Sequence, residues 1–283
     1  MSDRPGLNLQ EQIESLRSVG AVAYEVSPTN RGWQSSSVKP RDSQELFVQV
    51  FNIGTSILRL VDTDPAPNTA RDVLDPASIG ALTRNLMEAG DAFWYLVVDR
   101  VSSERARFRQ LLWRIHYHRE ALRVKGVLAA EYSRLWEIHS ALGISARMEL
   151  KENREFSQLS GAMKKSVLRG DRPWTQKPVR PRSYLSGPDG KAVYKYLSNV
   201  THAHPLGVYV GVPYAVSRAL DQSYLVALCL ELAVREVAWC TLRYVRRMRR
   251  LDGEIPNETL EALENISDAQ WPVLSRRTGQ LEE

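Results

Sequence analysis

Apolar side chains recur along this chain at intervals of three and four residues, and no stretch of any length alternates apolar with polar. That periodicity predicts helices throughout. Leu9, Ile13, Leu16 and Val19 mark a short amphipathic helix over residues 7–19. Phe47, Val50, Phe51, Ile53, Ile57, Leu58 and Val61 give a second helix a broad apolar face, with Asp42 or Ser43 as its cap. Asp75 followed by Pro76 is a helix start, an acceptor at the cap with Pro in the first turn. Ile79, Leu82, Leu86, Met87, Phe93, Trp94 and Val97 line one face of the helix it opens. Ser102 or Ser103 caps another, with Phe108, Leu111, Leu112, Ile115 and Leu122 as its stripe. Residues 128–142 and 145–168 predict two more, and Asp189 begins one that carries Val193, Tyr196, Leu197 and Val200.

The stretch from Tyr214 to Leu251 differs from all of these. Its apolar side chains point in nearly every direction, as in a helix surrounded by other helices. Glu231 and Arg235 interrupt it four residues apart, a spacing at which they can pair with each other. The expected architecture is all-α, a multi-helix bundle around this long central C-terminal helix. Residues 1–41 form a short helix and a polar linker in which Trp33 serves as an anchor. Residues 42–251 form the main helical domain, with a basic loop at 169–190, and residues 252–283 an acidic tail helix.

Composition narrows the class. The 283 residues are 43% hydrophobic and 25% charged, as in an ordinary folded protein. No apolar run approaches the roughly 20 residues that span a bilayer, and residues 1–10 lack a secretory leader, so no membrane partner and a cytoplasmic setting are expected. The two cysteines, Cys229 and Cys240, stand eleven residues apart on one helix. That is about 16 Å, too far for a disulfide. Their number rules out a cysteine-based metal site. No phosphate-binding glycine loop, nucleophile elbow, His-Glu-x-x-His or dinucleotide fingerprint occurs, so no cofactor is implied. The formal charge of +5 comes mostly from Arg, which suits phosphate recognition and equally reflects a GC-rich genome.

Four groups of residues could carry chemistry. His202 and His204, with Lys195 nearby, could act as acid and base or ligate a metal with carboxylates; otherwise His202 simply caps its helix. Arg109 with His116, and Arg134 with His139, have the Arg-x4–6-His spacing of some metal-independent helical ribonucleases, a pattern this Arg-rich chain also yields by chance. Lys164, Lys165, Arg169, Arg172, Lys177, Arg180 and Arg182, interleaved with Trp174 and Tyr184, could neutralise phosphates and stack bases. Arg84, Glu88, Asp91 and Tyr95 form a salt-bridged face in water, or a half-buried polar patch if Ala81, Ala89 and Ala92 admit a neighbouring helix.

Arg84-x-x-x-Glu88, Trp113-x-x-His116 and Tyr194-x-x-Leu197-Ser198-x-x-x-His202 occur in the order seen in a bacterial all-helical family of unknown function, which residues 42–250 resemble. The resemblance implies one helical domain with Arg84, Glu88, His116 and His202 as its recurring polar positions, and no activity. A looser likeness to HEPN-type helical ribonucleases meets Lys195 where such a site has Arg. The functional expectation is association with RNA or DNA in a bacterial stress or defence setting. The alternatives are a non-catalytic module that forms homo-oligomers through its helices, and a metal-dependent hydrolase using His202 and His204. Catalytic candidates on these readings are Arg84, Glu88, His116, Lys195, His202, His204, Glu231 and Arg235.

Overall fold

A computed structural model describes residues 8–32, 38–61, 75–124, 133–182, 185, 188–202, 222–248, 251 and 253–268. Every regular element among them is helical. The chain divides into two compact units, one made of residues 1–93 and 180–283, the other of residues 94–179. Both divisions fall inside the stretch that the sequence reading treats as one domain. Helical periodicity runs through the first, and the second lies in the basic loop 169–190.

The first unit is built around α10 (Gln222–Arg247). Twenty-six residues make a rod about 39 Å long. Nearly every described residue from Leu225 to Val245 is buried, as an apolar surface facing all directions requires. Around it pack α1 (Leu9–Val26), α3 (Val38–Val61), α4 (Pro76–Phe93) and α11 (Asn257–Asp268), while α9 (Pro188–Thr201) lies against α4. The ring of Phe47 on α3 stacks on Tyr244 at 4.2 Å and 5°. Of the expected central helix, residues 214–221 lie outside the described part.

Several element boundaries move. α1 runs to Val26, well past residue 19, because Ala23 and Val26 continue its buried stripe. α3 begins at Val38, before the expected caps Asp42 and Ser43. Pro40 falls in its first turn, where its missing N–H leaves no bond unmade. A single turn, α2 (Pro28–Arg31), occupies part of the expected linker, and Trp33 lies outside the described residues.

The second unit opens with a π-helical turn, Trp94–Val98, followed by α5 (Ser103–Arg123), α6 (Ser133–Glu152), α7 (Arg154–Ser157) and α8 (Gly161–Arg169). The helices expected over 128–142 and 145–168 are divided differently. α6 passes through Gly143 unbroken and stops where Asn153 caps the next turn, accepting from the N–H of Glu155 at 2.9 Å. Phe108, Leu111, Leu112, Ile115, Ala146, Leu150, Phe156 and Val167 form this unit's core. Burial of this kind stabilises at about 25 cal/mol per Å² of apolar surface.

Candidate functional site

The polar residues fall into several separate groups. In the first unit, Glu236 of α10 is wholly buried. It accepts from Arg180 at 2.6 Å and from Arg182 at 2.7 Å. Arg182 also reaches the Asp91 carboxylate at 2.7 Å and the Met87 carbonyl at 2.9 Å, while Asp91 accepts from the Arg180 backbone N–H at 3.0 Å. The guanidinium of Arg180 lies 3.8 Å from the centre of the Trp239 ring. Two cations thus meet two anions, and the cluster is neutral. Burial raises the Asp91 carboxyl above its ordinary range, against the pull of Arg182. Gly90 makes room for the cluster, since a Cβ there would sit 2.5 Å from Glu236 Oε2.

This cluster corrects two expectations. Arg180 and the side chain of Arg182, read as part of an exposed basic loop, are buried and held by carboxylates. Arg84 and Asp91, read first as members of a solvated face, are also buried, in line with the half-buried patch. Glu236, which is not among the sequence candidates, stands in the same apolar run as Glu231 and Arg235. A charge surrounded by apolar neighbours is the signal that would have found it.

Two further couples among this unit's candidates are structural pairs. Arg235 donates to Glu231 Oε1 at 2.6 and 3.0 Å, the expected pairing. Arg84 donates to Glu88 at 3.1 Å and to the Tyr194 hydroxyl at 3.2 Å. It therefore meets α9 at Tyr194, eight residues and about 12 Å of helical rise before His202. Lys195 and His202 are exposed. His204 and Tyr184 lie outside the described residues. Among the described residues no group of three or more His, Cys, Asp or Glu is arranged to hold a metal ion. Cys229 and Cys240 are fully buried, and burial pushes the Cys229 thiol up to about 12, far from reactivity.

The second unit carries the charge. Residues 94–179 hold seventeen Lys and Arg against nine Asp and Glu, a formal +8, whereas the rest of the chain sums to −3. At the C-terminal end of α8 several of these groups converge. Gly170 closes the helix in the left-handed conformation, φ +75°, with its N–H donating to the last turn. A Cβ there would come 3.0 Å from the Ile115 carbonyl oxygen, so glycine also permits the close approach of α5. The Gly170 carbonyl lies 2.8 Å from Nδ1 of His116. A carbonyl only accepts, so Nδ1 carries the proton, and in the neutral ring Nε2 presents a lone pair.

One turn further along α5, Arg119 reaches Asp171, which Arg169 also holds at 2.7 and 3.0 Å. The Arg169 hydrogen bond and then Arg119 hold the Asp171 carboxyl below its ordinary range, so it stays ionised. Arg172 and Lys165 are exposed nearby in the chain, and the rings of Trp113 and Trp174 lie 5.9 Å apart. His116, Arg169, Arg172 and Trp174 of the sequence candidates thus come together with Trp113 of the Trp113-x-x-His116 pattern, and Arg119 and Asp171 join them. Lys164 is drawn back by the Ser157 carbonyl at 2.8 Å, and Lys177 is exposed.

The paired Arg-x4–6-His candidates separate. Arg109 is buried under the Tyr95 ring, 4.0 Å from its centre, and pairs with Asp99 at 2.8 Å. Arg134 is exposed while His139 is buried against His118, the two Nδ1 atoms 3.0 Å apart. No helix among the described residues is long and apolar enough to cross a membrane. No family model, curated protein or solved structure matches the chain.

Proposed function

We propose that the protein binds single-stranded RNA through the cationic side of residues 94–179. What carries this reading is the segregation of charge, +8 on this unit against −3 on the rest, with an aromatic pair beside its arginines. Phosphates release counterions when Lys and Arg neutralise them, which drives binding independently of sequence. Trp113 and Trp174 supply flat apolar surface on which unpaired bases stack. Asp171 fixes Arg119 and Arg169, so neither guanidinium loses much freedom on meeting a phosphate. His116, with its tautomer set by Gly170, offers Nε2 to a ribose hydroxyl.

The test is fluorescence anisotropy of a labelled single-stranded RNA titrated with the full chain at two salt concentrations. Each neutralised phosphate contributes about −0.7 to the slope of log affinity against log salt. With four phosphates engaged, affinity falls roughly fifty-fold between about 50 and 200 mM salt. The double variant R169E/R172E should abolish binding while its circular dichroism remains that of the parent. Absence of binding at the lower salt, or binding indifferent to the double variant, overturns the reading.

A further inference from the structure

The outward face of α6 is unusual for a helix at the surface of a compact unit. Ile138, Leu142, Ile144 and Met148 are 47, 50, 56 and 63% exposed. Ala141 and Ser145 between them are exposed too, as are Arg134 near the start of the helix and Glu152 at its end. Arg134, Ile138, Ala141, Ser145, Met148 and Glu152 follow one another at spacings of four, three, four, three and four residues. That is the 3.5-residue period of a seam along which two helices pack. The inward face of the same helix is already occupied, with Trp136, Ala146 and Leu150 buried and Glu149 held by Arg107 of α5.

The seam reads as its own complement when reversed. About a midpoint at Gly143, Arg134 falls opposite Glu152, Ile138 opposite Met148, and Ala141 opposite Ser145. Leu142 and Ile144 lie on its two flanks, each facing its own counterpart in the second copy. Cation meets anion at both ends, apolar meets apolar within, and small residues at the centre let two backbones approach. A parallel arrangement would instead set Arg134 against Arg134 and Glu152 against Glu152. We infer that α6 docks antiparallel on α6 of a second copy of this chain, related by a two-fold axis that passes between the two helices at the level of Gly143. In such an isologous contact every pairing occurs twice.

One pair of helices of this length covers less than the roughly 800 Å² per partner of a standard interface, so the dimer should dissociate in the micromolar range. This inference is independent of RNA binding and is tested without nucleic acid. Sedimentation velocity of the full chain from about 1 to 100 μM should show a monomer–dimer equilibrium in that range. M148E, a substitution at an exposed position that leaves folding intact, should weaken the dimer at least tenfold. R134E and E152R should each weaken it by about tenfold, because each places two like-charge pairs in the seam. The double variant R134E/E152R should return to parental affinity. A chain that stays monomeric throughout, or a dimer indifferent to M148E, overturns the inference. Failure of the double swap to restore affinity overturns the antiparallel register.

Discussion

The Nδ1 atoms of His118 and His139 face each other at 3.0 Å and join α5 to α6 inside the second unit. One imidazole must donate and the other accept, so the bond exists only while at least one ring is neutral. The rings of Tyr117 and Trp136 close around the pair. Burial, then the neighbouring His139, Arg114 and Arg147, push His118 from its ordinary value of 6.5 down to about 4. The unfolded chain therefore takes up a proton at a pH where the folded chain refuses it. Stability is full above pH 6.5 and declines as the pH falls from there towards 4. Thermal unfolding followed by circular dichroism from pH 7.5 down to about 4.5 should show a falling midpoint. H118Q should flatten that dependence. A midpoint in the parent that ignores pH across this window would show that His118 is not held neutral.

Arg182 holds two carboxylates at once, and its loss should be among the most costly single changes in the first unit. Without it Glu236 and Asp91 each lose a guanidinium, in surroundings where water cannot replace the missing charge. Removing one member of a buried ion pair typically costs about 3–5 kcal/mol, because the partner stays buried and uncompensated. Urea unfolding of R182M should show that loss as a lower midpoint with little change in slope. A cost below about 1 kcal/mol would mean that the cluster is open to water.

Helical class and the wrapped character of α10 were legible because both are repeated over dozens of residues. Glu231 with Arg235 was legible because i,i+4 contacts are decided within one helix. Arg180 and Arg182 were not, since their local sequence, rich in Pro and cations, is that of a solvated loop. What buries them is the carboxylate of Glu236 more than fifty positions away. The group at His116 was half legible. His116, Arg169, Arg172 and Trp174 stood out as residue types, but their convergence depends on Gly170 turning the chain back along α5. Trp113 stood out only for its spacing from His116, and nothing local to it or to Arg119 showed that the loop would lie against them.

Arg172 and Trp174 stand two residues apart, yet the two kinds of RNA contact assigned to them leave different signatures. Arg172 is exposed beside the ionised Asp171, so its part is to neutralise a phosphate. R172A should weaken binding similarly for all sequences and make the salt slope shallower by about 0.7, the share of one phosphate on a single strand. Trp174 is half-buried against Trp113 and carries no charge. W174A should cost about 1–3 kcal/mol if a base stacks there, with the salt slope unchanged. Its effect should shrink on fully duplex RNA, whose bases are not available to stack. Anisotropy titrations of both variants at several salt concentrations, on single-stranded and duplex ligands, distinguish these outcomes. Should W174A change the salt slope as R172A does, the aromatic pair would be acting by ordering the arginines, and base stacking would drop out of the account.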